Sequence, residues 1–175
     1  MNSQKKEKII IVGLDNAGKS TILLTLKRRT NLPFIAELEP TKGIVTEQFE
    51  TPECVYHCWD FGGQASFRES YLKKPEVFAE TDKLIYVIDI QDDARFEQSL
   101  NYLGEILDLM KQMGEKSKFS IFLHKFDPEL LESDEYKQRS KELRKKLRNI
   151  SKEYDIPINV YHTTIYTVFQ RIQVM

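Results

Sequence analysis

The sequence predicts an α/β fold: a mostly parallel six-stranded sheet with one antiparallel edge strand and helices on both faces. Short apolar runs alternate with longer stretches of helical periodicity along the 175 residues, which is the pattern of βαβ units. A glycine-bearing run, Gly13-Leu14-Asp15-Asn16-Ala17-Gly18-Lys19-Ser20-Thr21, joins the first apolar run to the first helical stretch. Polar or glycine-bearing segments follow later strands, at the strand ends where a doubly wound sheet carries its ligand chemistry.

The strands are expected at Lys8–Val12, Ile44–Phe49, Cys54–Asp60, Lys83–Asp89, Lys118–Leu123 and Ile158–His162. Thr51-Pro52-Glu53 is a tight turn, so the second and third strands should form the antiparallel hairpin. Helices are expected at Lys19–Arg29, Ala94–Met113 and Asp134–Tyr154, with another starting near Thr164. Phe96, Leu100, Leu103, Leu107 and Met110 recur at helical spacing, as do Leu143, Leu147, Ile150 and Tyr154. The last helix has room for only about three turns, which is short for one closing a sheet edge and suggests a piece of something longer. One domain, residues 1–175, is expected at this length.

Composition narrows the function. A hydrophobic content of 41% with 30% charged residues is that of a soluble globular chain. The net charge of −1 argues against a general nucleic-acid binder. No apolar run approaches the roughly 20 residues of a membrane span, and Met1–Lys8 is too polar for a signal peptide. Asn2 stands where myristoylation needs glycine, and Gln173-Val174-Met175 carries no prenylation cysteine, so no lipid anchor of either kind is encoded. Cys54 and Cys58 read as small core residues of a reducing compartment, the alternative being a metal site with His57. The basic run Lys141-Glu142-Leu143-Arg144-Lys145-Lys146-Leu147-Arg148 is either a solvated helix face with i,i+4 pairs or a contact for an acidic partner or membrane surface.

Four motifs carry chemistry. The first fits G-x-x-x-x-G-K-[ST]: backbone N–H groups from Asp15 to Thr21, including those of Asn16, Ala17 and Gly18, converge on phosphate oxygens at a helix N-terminus. Lys19 adds a full positive charge there, and Ser20 offers a hydroxyl to Mg²⁺. In the second, Cys58-Trp59-Asp60-Phe61-Gly62-Gly63-Gln64, Asp60 can hold Mg²⁺ directly or through water. The Gly63 N–H can approach a terminal phosphate, and the Gln64 amide can orient an attacking water. The third is the loop from Asn31 to Gly43, where the Thr41 hydroxyl could reach Mg²⁺ only when a terminal phosphate is present. The fourth is Leu123-His124-Lys125-Phe126-Asp127-Pro128: the Asp127 carboxylate matches the paired N–H donors of guanine, and the Lys125 stem can cover the base. Thr163-Thr164-Ile165 follows the last strand, where a backbone N–H could reach guanine O6.

In this order and spacing the four motifs resemble the Ras-like small GTPases, a branch of the P-loop NTPase fold, over nearly the whole chain. The phosphate loop and Trp59-Asp60-Phe61-Gly62-Gly63-Gln64 look like the Arf family. His124-Lys125-Phe126-Asp127, Thr163-Thr164-Ile165 and Leu84-Ile85-Tyr86-Val87-Ile88-Asp89 look like the Rag/Gtr family. The resemblance implies a cytoplasmic GTP/GDP switch with Mg²⁺ as cofactor and slow GTP hydrolysis. Lys19 and Gln64 would be catalytic, Ser20, Thr41 and Asp60 would hold the metal, and His124, Lys125, Asp127, Thr164 and Ile165 would hold the base. It also implies partners: an exchange factor, an activator, pairing with itself or another GTPase, and recruitment by partners to a membrane. His124 stands where an asparagine amide usually ties the base loop to the phosphate loop, so guanine affinity is the part this departure touches. Asp15 stands where Ras proteins keep a glycine, and it could pair with an activator's arginine. The rival readings are a non-hydrolysing GTP-binding scaffold and a P-loop kinase of a small molecule.

Overall fold

The computed structural model describes residues 4–26 and 39–165. Six strands form one sheet: β1 (Lys5–Gly13), β2 (Ile44–Glu50), β3 (Cys54–Phe61), β4 (Lys83–Asp89), β5 (Lys118–His124) and β6 (Ile158–His162), in the order β2-β3-β1-β4-β5-β6. Every neighbouring pair is parallel except β2 with β3, where Ile44 faces Phe61 and Glu50 faces Val55. The expected hairpin is therefore present, closed by the Thr51 N–H on the Cys54 carbonyl at 2.9 Å.

The helices are α1 (Lys19–Leu26), α2 (Ala65–Leu72), α3 (Phe96–Met113) and α4 (Asp134–Tyr154). Two expectations change and a third is untested. The sequence reading has no helix at Ala65–Leu72; the segment lacks an apolar stripe, and tertiary contacts of Tyr71 and Phe67 hold it. The helix read from Ala94 begins at Phe96, because Asp93–Arg95 takes the tighter 3₁₀ form first. The last residues of the helix read to Arg29, and nearly all of the one read from Thr164, lie outside the described residues.

Alternation of side chains along the central strands splits the core in two. Ile10, Val12, Leu84, Tyr86 and Ile88 face α3 and α4, meeting Leu103, Ile106, Leu107, Leu143 and Leu147. Ile9, Ile11, Ile85 and Val87 face the other way, meeting Ile22 and Leu23 of α1. Cys58 is buried in this second layer, and Cys54 is also buried; both thiols are free. The burial of both side chains agrees with the core reading of these cysteines. No described helix is long and apolar enough to cross a membrane. Because β1, β3, β4, β5 and β6 run in one direction, the loops after them open on one edge of the sheet; the first, second and fourth motifs sit in those loops, and Thr41 reaches the same edge just before the antiparallel β2 begins.

Candidate functional site

The loop from Leu14 to Gly18 wraps one side of a cavity of about 360 Å³. Asp15, Asn16, Gly18, Lys19, Ser20 and Thr21 line it from the first motif, Gly63 and Gln64 from the second, and Thr41 from the third. Phosphate, metal and water-orienting candidates thus share one space. Ala17 does not face it: its side chain packs into the core behind α1, leaving only its backbone to the loop.

Lys19 is buried, and its ammonium donates to the Leu14 carbonyl at 2.7 Å. Burial lowers its pKa to about 8, while the Asp60 and Asp15 carboxylates pull it back up. At neutral pH it remains a cation next to the phosphate loop. The Ser20 hydroxyl lies 2.7 Å from that of Thr41, and both donate to Asp60 Oδ2, Thr41 at 3.1 Å. The other carboxylate oxygen, Asp60 Oδ1, is buried with no hydrogen-bond partner. Three hard oxygens drawn together beside an unsatisfied buried carboxylate oxygen fit Mg²⁺, which takes small oxygen ligands at octahedral spacing.

Gly63 shows why this position excludes a side chain. A Cβ there would sit 2.2 Å from the Asp15 amide nitrogen, whose N–H donates to the Gly63 carbonyl at 3.1 Å. The second motif therefore touches the phosphate loop directly. Gln64 caps the N-terminus of α2 and exposes its side chain at the cavity rim.

The base-side candidates form a second group that adjoins the cavity. Lys125 adopts positive φ (60°) and its ammonium binds Asp89 at 2.6 Å. Asp127 Oδ1 accepts the Thr164 hydroxyl at 2.7 Å, and Oδ2 accepts the Gln91 amide at 3.2 Å. Gln91 also donates to the Lys125 carbonyl at 2.8 Å. Ile165 is half-buried next to the buried Thr164. His124 is the bridge between the two groups. Its ring lies so close to Gly18 (φ +90°) that a Cβ there would fall 2.5 Å from the ring carbon Cδ2. Its Nδ1 pairs with the Thr163 hydroxyl at 3.0 Å. The imidazole thus joins phosphate loop and base loop by contact and shape, where an amide would use hydrogen bonds.

Burial, reinforced by the neighbouring Lys125 charge, lowers the His124 pKa to about 4. An unfolded histidine titrates near 6.5, so between pH 6.5 and 4 the unfolded chain binds the extra proton and the folded one does not. Stability should therefore fall with acidification across that window, by on the order of 2–3 kcal/mol from this group. Chemical denaturation of the parent and His124→Asn at pH 7 and pH 4.5 checks it: the parent should lose the larger share.

Several residues of the site carry no sequence signature. The Arg95 guanidinium reaches across from the start of α3 to Asp15, with Nη1 on Oδ1 at 3.1 Å and Nη2 on the carbonyl at 3.3 Å, and is itself held by Asp92 at 2.5 Å. Asp15 is thus already paired within the chain. Tyr71, Gln91 and Asp89 are recognisable only from their tertiary contacts.

The sequence matches the ADP-ribosylation factor family over residues 1–171. It is 38% identical to ADP-ribosylation factor-like protein 3 of Chlamydomonas reinhardtii over 114 residues, 63% of this chain and 60% of that protein. It is 35% identical to ADP-ribosylation factor-like protein 3 of Caenorhabditis elegans over 126 residues, 71% of this chain and 64% of that protein. The matched stretch thus spans under two thirds of either relative's length. Among solved structures, the Arl6 BBS3 small GTPase from Trypanosoma brucei with bound nucleotide analogue GppNp superposes with a TM-score of 0.64 at 21% identity, covering 97% of this chain and 96% of that one. The last likeness is one of fold, and it agrees with the six-stranded sheet described above. By the match along nearly its whole length, the chain belongs to the ADP-ribosylation factor family.

Proposed function

We propose that this protein is a GTP/GDP switch that binds Mg²⁺ and hydrolyses GTP slowly, acting in the cytoplasm or on membranes to which partners bring it. The observation that carries this reading is the cavity lined by Lys19, Ser20, Thr41 and Gln64, with Asp60 behind it accepting from the Ser20 and Thr41 hydroxyls. Ser20, Thr41 and Asp60 would hold Mg²⁺, which when bound neutralises charge on the phosphate oxygens. Lys19 and the loop N–H groups bind the same oxygens and stabilise charge that develops on them. Gln64 orients water at the cavity rim. The two carboxylate oxygens of Asp127 select guanine, and Lys125 covers its face. GppNp bound to the trypanosome protein of the same fold supports a triphosphate ligand.

The test has two parts. Nucleotide released on denaturing the purified protein should be GDP or GTP, and single-turnover hydrolysis should run on the order of 10⁻⁴ to 10⁻² s⁻¹ without an activator. Gln64→Leu should retain GTP and slow that rate at least tenfold. Phosphate transfer to a small acceptor, or no hydrolysis by the parent, defeats the proposal.

Discrimination between the two nucleotides should depend on one carbonyl. Gly43 O accepts the Gly62 N–H at 2.9 Å and the Tyr71 hydroxyl at 2.8 Å. Gly43 lies two residues past Thr41, and Tyr71 lies on the helix that Gln64 caps. Burial raises the Tyr71 pKa to about 12, so the hydroxyl stays a donor at any physiological pH. Tyr71→Phe removes one hydrogen bond of about 1 kcal/mol. It should weaken GppNp roughly five- to tenfold and leave GDP nearly unchanged, read by stopped-flow exchange of labelled nucleotides.

A further inference from the structure

The cations of α4 are sorted by face. Arg139 pairs with Asp93 at 3.1 Å and Glu135 at 2.6 Å, and Lys146 pairs with Glu97 of α3. Lys141, Arg144, Lys145 and Arg148 have no ion-pair partner among the described residues, and all four are exposed. They line a hollow of about 510 Å³ whose one carboxylate, Glu142, is engaged by the Gln138 amide at 2.8 Å. A narrower groove of about 240 Å³ lies beside it, sharing Arg144 and Arg148 and walled by Leu147, Ser151, Ile158 and Val160. Two of the four unpaired cations, Arg144 and Arg148, therefore stand over the flank of β6.

β6 is an edge. Among the described residues it pairs with β5 alone. Ile158 and Val160 turn toward α4, whereas Tyr161 packs edge-on against Phe122 on the opposite face. The Thr163 N–H points inward to the Leu123 carbonyl at 3.0 Å, so the two-residue period directs the backbone groups of Ile158, Val160 and His162 outward. Proteins commonly guard such an edge with lysine or proline. Ile158-Asn159-Val160-Tyr161-His162 contains neither.

We propose that the β6 edge and the basic flank of α4 form a docking site for an extended acidic segment of a partner protein, added to the sheet as a further strand. An added strand would place alternate side chains on the α4 side, next to Arg144 and Arg148. Two strand residues advance about 6.8 Å and one helical turn about 5.4 Å. Arg144 and Arg148, four residues and about 6.0 Å apart along the helix, therefore come close to the spacing of two acidic residues at successive alternate strand positions. α4 leads from the end of β5 back to the start of β6, so it runs antiparallel to that strand. The edge hydrogen bonds give affinity, and the charges select the partner. The site lies away from the nucleotide cavity and does not depend on the function proposed for it.

The probe is a fluorescein-labelled heptapeptide of alternating valine and glutamate, titrated by anisotropy against the full chain loaded with GDP or with GppNp. It should bind equally to both forms, at least tenfold tighter than its valine–lysine counterpart. It should slow deuterium exchange at residues 158–162, and methylating alternate peptide amides should abolish binding. Arg144→Glu/Arg148→Glu should weaken binding at least tenfold; both side chains are exposed, and the melting temperature verifies the fold. Should that variant unfold, exchange protection of β6 in the unaltered protein decides. No protection at β6, equal binding of the methylated or lysine peptide, or capture by phosphatidylserine vesicles without peptide binding overturns the proposal.

Discussion

Lys19→Ala should weaken GDP and GTP by on the order of 100- to 1,000-fold while leaving the free protein as stable as before, or more so. The two halves of this result have one cause. The Lys19 ammonium is buried, and its hydrogen-bond acceptor among the described residues is the Leu14 carbonyl at 2.7 Å. Its charge is disfavoured enough to bring the pKa down to about 8. Alanine removes that cost from the free fold. Phosphate oxygens, in contrast, lose one or two charge-assisted hydrogen bonds of roughly 1.5–3 kcal/mol each, and each 1.4 kcal/mol is tenfold in affinity. Titration of labelled GDP and a thermal melt on the same sample read both. An unchanged dissociation constant would remove the phosphate loop from the site.

Asp127→Asn should lower GTP affinity by on the order of a thousandfold and raise that for XTP, because a site built around a hydrogen-bonding pair rejects a base that lacks it. The surroundings dictate how the new amide sits. Gln91 can only donate through the nitrogen that now faces Oδ2, so it favours a carbonyl oxygen there. The Thr164 hydroxyl on the other side can reverse and accept from the new NH₂. The amide donor then lies on the Thr164 side, with one N–H left to offer the carbonyl that xanthine carries in place of an amino group. Competition among GTP, XTP and ATP checks this, and Gln91→Leu combined with Asp127→Asn should blunt the XTP gain by freeing the amide to turn.

The sheet was legible because its signals are local. Buried parallel strands are continuous apolar runs, and Thr51-Pro52-Glu53 announces the one reversal. The motif residues were legible for a related reason: phosphate and metal chemistry demands particular residue types at fixed spacing in loops after strands. α2 was not, since Ala65–Leu72 has a weak apolar pattern and is held by Tyr71 reaching Gly43 and by Arg68 donating to the Gly63 carbonyl. The Arg95–Asp15 pair joins residues 80 positions apart, and neither has a neighbour pattern that names the other. The role of His124 was half legible. Its departure from the usual amide was visible, but its seat against Gly18 and Thr163 depends on the packing of three separate loops.

The carbonyl of Gly43 has two lone pairs, and both are in use, one by each of the segments that flank the cavity. A shared acceptor makes those segments cooperative. Once either lets go, the carbonyl shifts and the remaining bond loses its geometry, so the half-released arrangement is poorly populated. Gly43 and the helix that begins after Gln64 should therefore release together, and relaxation dispersion at Gly62 and Tyr71 should report one shared exchange process.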